Sequence, residues 1–236
     1  MCMDLNLQSI IYSNSQYYDV LDIFLEEQEK YGINKNKHIL FSDISIKDQK
    51  TIVYDNKDPY ALRLLKCLQS LQCEIILFQH EDMFLYDLPN INKINDYIKF
   101  LKQSNYSFIR LCRTGNCILK QNKEINSLFE IDQNSSDFFA VQPSIWKTKD
   151  FIKFLSFGLN MSIWDLEINS SSLSLKSNIL GLLHFDNENK RGGHYDSNVW
   201  PYIATAIVKG KWNLIEYHKE MNKIKNIIDS KREKLI

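Results

Sequence analysis

The chain has 236 residues, 44% of them hydrophobic and 25% charged, with lysine plus arginine equal to aspartate plus glutamate at 29 each. That length suits one domain with a sizeable core, and the ordinary composition excludes disordered and fibrous classes. A balanced charge leaves no global positive field for nucleic acid phosphates, so no nucleic acid partner is expected.

Five cysteines, at 2, 67, 73, 112 and 117, include no CxxC pair, and an odd number cannot all pair within one chain. Reduced thiols in a cytoplasmic protein are the expectation. The opening MCMDLNLQSIIYSNSQ lacks a basic segment followed by a long apolar one, and no apolar run approaches the roughly 18 residues of a membrane span. Residues 209–236 carry eight Lys/Arg against four Asp/Glu. They read as a solvated helix face, or as a basic surface for peripheral contact with an anionic membrane.

Taken in chain order, LNLQSIIYSNS reads as a strand running into a small polar turn, and YYDVLDIFLEEQEKYG as a helix through Val20, Leu21, Phe24 and Leu25. HILFSD and TIVYDN are short strands. The next helix has Asp58 as its expected cap, Pro59 at its start and a broad leucine face, and it leads into the all-apolar strand EIILF. A short apolar strand after such a helix belongs to a sheet covered on both faces, so an α/β fold with a mixed central sheet, Rossmann-like and of α/β/α layering, is expected. Residues 91–103 form a further amphipathic helix and YSFIRLC a strand. FFAVQPSIW is extended, with Pro143 arguing against a central strand beyond it. TKDFIKFLS reads as a short helix capped by Thr148, residues 169–198 as the least regular part, and the tail as a C-terminal helix over 213–236. The expected division is one domain of two halves, 1–112 and 113–212, followed by that helix.

Function concentrates at strand ends, where side chains converge on an open crevice. There is no GxGxxG and no GxxxxGK[ST], so glycine-built phosphate cradles are absent. His80-Glu81-Asp82 instead closes an apolar strand with two adjacent acids, which repel and are costly to desolvate unless a cation or donors take up their charge. Mg2+ or Mn2+, which prefer carboxylate oxygen and bridge diphosphates, would meet that need.

The run IVYDNKDPYALRLLKCLQSLQCEIILFQHEDMFLYD, followed by SFIRL, AVQPSIWKTKDFIKFLS, IWDLEI and GKW, resembles GT-A type glycosyltransferases of bacterial and viral cell-surface glycan synthesis, over roughly residues 8 to 213. The resemblance implies a sugar moved from a nucleotide-sugar donor to a glycan or lipid-linked acceptor, with inversion and a bound metal. His80-Glu81-Asp82 then occupies the place of the DxD-type motif: Asp82 as metal ligand, Glu81 facing ribose or metal, and His80 departing from the family's first acid. Ser13, Asp55, Tyr60 and Arg63 match positions around the nucleotide; for Tyr60 and Arg63 the plain alternative is a surface-facing helix residue.

In the second half, a carboxylate would take the acceptor's proton. Glu167 is the first candidate and Asp165 the second, with a capping or salt-bridged pair as the alternative. Trp146 and Trp164 offer flat faces to a sugar, Gln142 two-way hydrogen bonding to hydroxyls. In Arg191-Gly192-Gly193-His194, Arg191 suits phosphate oxygens and His194 phosphate or the metal, the alternative being a solvated loop. His38, His184 and His218 receive no role. Two other readings stand beside glycosyl transfer: a nucleotidyltransferase, against which the sequence SNSQYYD in place of a Gly-rich basic loop counts, and a non-catalytic glycan-binding protein on the same fold.

Overall fold

The computed structural model describes residues 7–115, 117–224, 227 and 230–235. In chain order the elements are β1 (Gln8–Tyr12), α1 (Tyr18–Lys30), β2 (His38–Ser42), β3 (Thr51–Val53), α2 (Tyr60–Gln69), β4 (Ile75–His80), α3 (Ile91–Gln103), β5 (Phe108–Arg110), β6 (Leu119–Gln121), β7 (Leu128–Ile131), β8 (Ser144–Lys147), α4 (Thr148–Ser156), α5 (Ile163–Ile168), α6 (Ser170–Ser177) and β9 (Gly181–His184). There follow β10 (Lys190–Arg191), β11 (His194–Tyr195), β12 (Ile207–Val208), β13 (Lys211–Asn213), α7 (His218–Met221) and β14 (Lys234–Leu235).

Nine strands form one mixed sheet in the order β3-β2-β1-β4-β8-β5-β9-β7-β6. β1 to β4 run parallel, β8 is inserted antiparallel between β4 and β5, and β5 and β9 run parallel to each other. Side chains alternate across the pleat, so each strand feeds both faces. Ile10, Ile76 and Phe78 pack with the leucines of α2 and the phenylalanines of α4, while Ile75 and Leu77 pack on α3 and Ile11 on α1. The fold is therefore the expected α/β/α arrangement with a mixed central sheet.

After β1 the chain moves outward through β2 and β3, then returns across the sheet to place β4 on the other side of β1. The helix leaving β1, α1, and the helix entering β4, α2, lie on opposite faces. The carboxyl ends of β1 and β4 thus flank a topological switch point, where the diverging loops leave a crevice.

Several expectations need correction. Pro143 does not exclude a central strand: it stands one residue before β8, where its missing N–H breaks no ladder bond, and its carbonyl accepts from Leu111 N at 2.9 Å. Residues 169–198 contain a helix and a central strand. The α6 segment SSSLSLKS has little apolar periodicity because Ser170, Ser174 and Ser177 line its buried side, their hydroxyls hydrogen-bonded to backbone carbonyls. Asp58 does not cap α2; Pro59 holds the cap position, while the Asp58 carboxylate pairs with Lys66 at 2.7 Å and its carbonyl accepts from Arg63. Thr148 is the first residue of α4, and its hydroxyl makes no capping bond. The tail is not a continuous helix: β13, the one-turn α7 and β14 take its place, with residues 225, 226, 228, 229 and 236 outside the described residues. A basic amphipathic helix for membrane contact is therefore corrected, and no helix among the described residues is long and apolar enough to cross a membrane. The four described cysteines are free thiols; Cys2 lies outside the described residues.

An aromatic stack fastens the antiparallel insertion. Trp146 lies between Phe108 at 4.2 Å and Phe151 at 4.3 Å, both nearly parallel to it. Phe108 can lie flat only because its strand neighbour is Gly181, where a Cβ would stand 2.3 Å from the ring. We expect Gly181→Ala to lower the unfolding free energy by about 1–3 kcal/mol, the usual cost of overpacking. Denaturant unfolding checks it, and Phe108→Leu in the Gly181→Ala background should recover part of the loss.

Candidate functional site

The switch-point crevice is built from four strand ends. From β1 come Tyr12, Ser13, Asn14 and Ser15; from β2, Asp43; from β3, Tyr54 and Asn56; from β4, His80, Glu81 and Asp82. Asp43 is the hub of the polar part: it accepts from Ser15 N at 2.7 Å, Ser15 Oγ at 2.6 Å and Asn56 Nδ2 at 2.7 Å. Burial alone would push its carboxyl up, yet these donors hold it below the ordinary carboxylate range. Asn14 reaches Asn56 Oδ1 at 3.1 Å, and Tyr54 donates to the Ser13 carbonyl at 2.7 Å.

One aromatic layer separates this network from the acids. The Tyr12 ring stacks on Tyr54 and on His80, both at 5.1 Å. His80 Nε2 lies 2.8 Å from the Tyr60 hydroxyl, and burial depresses the imidazole to about 3, so it stays neutral. Both partners of that hydrogen bond are uncharged, and either can be its donor. His80 thus serves as an uncharged spacer where a third acid would have added to the repulsion.

Glu81 is 7% exposed. Burial, and then repulsion from Asp82, raise its carboxyl well above the ordinary range, and burial lifts Asp82 to about 6. No side-chain hydrogen bond reaches either carboxylate from a described residue, and Arg232 supplies the favourable charge that Glu81 feels. Such a pair fits a hard divalent cation, which would restore both ionised forms and remove their repulsion. Two carboxylates fill only part of an octahedral shell, which suits a cation sharing its remaining positions with water and phosphate oxygens.

The expected residues divide in two. Tyr60, His80, Glu81 and Glu167 converge, since the Tyr60 phenol, raised chiefly by burial, also feels the charges of Glu167 and Glu81. Ser13 is buried at the β1 end with its hydroxyl unpartnered, and Arg63 lies at the rim with its guanidinium 5.3 Å from the Tyr54 ring centroid and hydrogen-bonded to the Asp58 and Asn56 carbonyls. Asp55 is exposed and accepts from Lys57 N within its own turn. Glu167 accepts from Val141 N at 2.7 Å; burial raises its carboxyl, against which the Val141 amide and Arg110 act.

The others stand apart. Asp165 is spent on a capping box with Ser162 at the start of α5. Trp146 is wholly enclosed in the core, so it offers no face to a sugar; Trp164 is 71% exposed. Gln142 is buried, and its side-chain Oε1 accepts from Cys112 Sγ at 2.8 Å. Arg191 is neutralised by Asp196 and Glu220, both at 2.9 Å. His194, on β11, does not join Glu81 and Asp82: among the described residues no group of three His, Cys, Asp or Glu could hold a metal, and the expected three-ligand set is corrected.

Two residues escaped the sequence reading. Arg110, at the end of β5, is 1% exposed, donates to the Asp137 carbonyl at 3.0 Å and Cys117 Sγ at 3.2 Å, and keeps Nε unpartnered. It is a buried cation whose charge acts on Glu167 at the same sheet edge. An arginine closing an apolar strand, FIR, was the available signal. Arg232 is the second, and only the tertiary structure brings it near.

No protein-family model and no curated protein matches the chain. Solved structures do. CMP:2-keto-3-deoxy-manno-octonic acid synthetase complexed with CTP is 10% identical, with 78% of this chain and 91% of that chain covered, at a TM-score of 0.48. UDP-glucose pyrophosphorylase complexed with UDP-glucose is 8% identical, with 75% and 90% covered, at 0.46. A Methanothermobacter nucleotidyl transferase is 11% identical, with 75% and 87% covered, at 0.43. At these values the likeness concerns architecture. None of the three is a glycosyltransferase, and the expectation of glycosyl transfer is corrected on that finding.

Because the Asp82 carboxyl is raised from 3.8 to about 6, the folded state holds that proton more tightly than the unfolded one, and stability falls as pH rises between those values. Asp82→Asn removes this penalty. We expect the variant to be more stable than the parent in metal-free buffer above pH 6, by on the order of 2 kcal/mol. The parent alone should gain melting temperature on addition of Mn2+. Thermal unfolding from pH 4 to 8, with and without Mn2+, checks both.

Proposed function

We propose that the chain is a nucleotidyltransferase, joining the nucleotidyl group of a nucleoside triphosphate to a second substrate bearing a phosphate or carboxylate. The observation that carries this reading is the Glu81–Asp82 pair at the switch point, Glu81 buried and Asp82 half-buried, one aromatic layer from the Asn14–Asp43–Asn56 network. The network offers amide and carboxylate groups of the kind that hydrogen-bond a base or ribose. The acids offer a seat for the cation that accompanies a triphosphate.

The chemistry asks little more. An oxyanion of the second substrate attacks the α-phosphorus, the bond to the bridging oxygen breaks, and pyrophosphate leaves with the electron pair. A divalent cation held by Glu81 and Asp82 would supply charge stabilisation to the phosphates. A nucleophile that is already an anion needs no general base, which accords with Asp165 being used in a helix cap and Glu167 being held by a backbone amide. Arg110, with its Nε unpartnered at the same edge, is a suitable counter-charge for an anionic second substrate.

The test is pyrophosphate release from each of the four ribonucleoside triphosphates with Mg2+ or Mn2+, against a panel of sugar phosphates and sugar acids. Release that depends on one member of each set is the expected result, and none across the panel overturns the reading. Asp82→Asn should lower turnover by about 100-fold at saturating triphosphate. Arg110→Lys, which keeps the charge and loses the fork, should raise KM for the second substrate more than for the triphosphate.

A further inference from the structure

A nucleoside triphosphate entering this crevice meets Asp43, Glu81 and Asp82, while the loop that leaves β1, Ser13 to Asp19, contains no lysine or arginine. Nucleotide phosphates need a counter-charge there. The structure provides one from 216 residues further along: Arg232 donates through Nη2 to the Gln16 carbonyl at 2.9 Å, in the turn that follows β1. Its guanidinium also lies 4.9 Å from the Tyr17 ring centroid, and the charge of Glu81 acts on it.

We propose that Arg232 is the phosphate-recognising cation of the nucleotide site, delivered by the C-terminal segment in place of a basic residue in the β1 loop; the assignment rests on the nucleotidyltransferase reading. Its delivery is specific. β14 pairs in parallel with β13, Ser230 Oγ accepts from Trp212 Nε1 at 3.1 Å and from Arg232 N at 3.2 Å, and Trp212 packs on Phe84, two residues beyond Asp82. The segment carrying the cation is thus seated on the segment carrying the acids.

The partners of Arg232 are of two kinds. The Gln16 carbonyl and the Gly210 carbonyl, 2.9 Å from Nη1, are backbone anchors. Asp19 grips the fork with two oxygens, at 2.9 and 2.6 Å, and is 45% exposed against 15% for the arginine side chain. A carboxylate held bidentately by an arginine fork presents the geometry that a phosphate takes, so phosphate oxygens compete with Asp19 for the same donors while the carbonyls keep the guanidinium in place.

The probe is a series, for each of the four bases, of nucleoside, monophosphate, diphosphate and triphosphate with Mn2+, titrated calorimetrically into the full chain and into Arg232→Gln, Arg232→Lys and Asp19→Asn. We expect Arg232→Gln to leave nucleoside affinity unchanged and to weaken the triphosphate by about 10- to 100-fold, Arg232→Lys to recover part of that, and Asp19→Asn to tighten the triphosphate. Weakening that is uniform from nucleoside to triphosphate marks Arg232 as merely structural and overturns the assignment, as does an unchanged triphosphate affinity in Arg232→Gln. If the parent binds no member of any series, the nucleotidyltransferase reading falls and takes this assignment with it.

Discussion

Two adjacent carboxylates at the closed end of a core strand are the constraint to which the rest of this molecule answers. Charges removed from water at such a place are costly unless compensated, and their mutual repulsion adds to the cost. The surroundings act to contain it. His80 stays neutral beside them, Tyr60 is hydrogen-bonded to that imidazole, and Arg232 places a positive charge that Glu81 feels. On the proposed function, what remains uncompensated would be met by a cation and the phosphates that travel with it. A site of this kind trades stability of the empty protein for binding, which is why stability and function are set against each other at Asp82.

The sheet topology determines where that trade takes place. β4 returns beside β1 with its helix on the opposite face, so the two loops part and the strand ends stay accessible. β8 then enters antiparallel, and its first residues stand at the same edge as the last residues of β4 and β5. Ser144, Arg110 and Glu167 thereby stand near the carboxyl ends of β4 and β5. A cleft of about 450 Å³, lined by residues such as Gln121, Phe129 and Asn187, lies instead on the β6–β7–β9 side, where its Lys93 and Asp186 already pair with each other. Concavity alone would have pointed there, while the strained electrostatics point to the switch point.

How much of this could be read beforehand follows from where each signal resides. The strands and helices up to β4 were legible because each buries one continuous apolar run or stripe, and Glu81 and Asp82 were legible because acids directly after such a run break a local rule. β8 was obscured because a proline's effect depends on which side of the strand start it stands. α6 was obscured because serines satisfied by their own helix can line a buried face. The pairing of Arg232 with Asp19 spans 213 residues, and nothing in local spacing announces it. The resemblance to glycosyltransferases captured the mixed α/β architecture; the glycosyl transfer it implied is corrected by the structural neighbours, because a shared sheet does not fix which group is transferred.

The placement of Arg232 has a consequence for biogenesis. A ribosome makes this chain amino end first, so every strand of the nine-stranded sheet, and both acids, emerge before the arginine does. A nascent chain that has already folded its sheet still holds a crevice with negative charge and no tethered counter-ion from the C-terminal segment. On the proposed assignment, competence to hold a triphosphate therefore comes last in synthesis, and proteolytic loss of a few residues around position 232 would leave the sheet intact and the crevice without its cation.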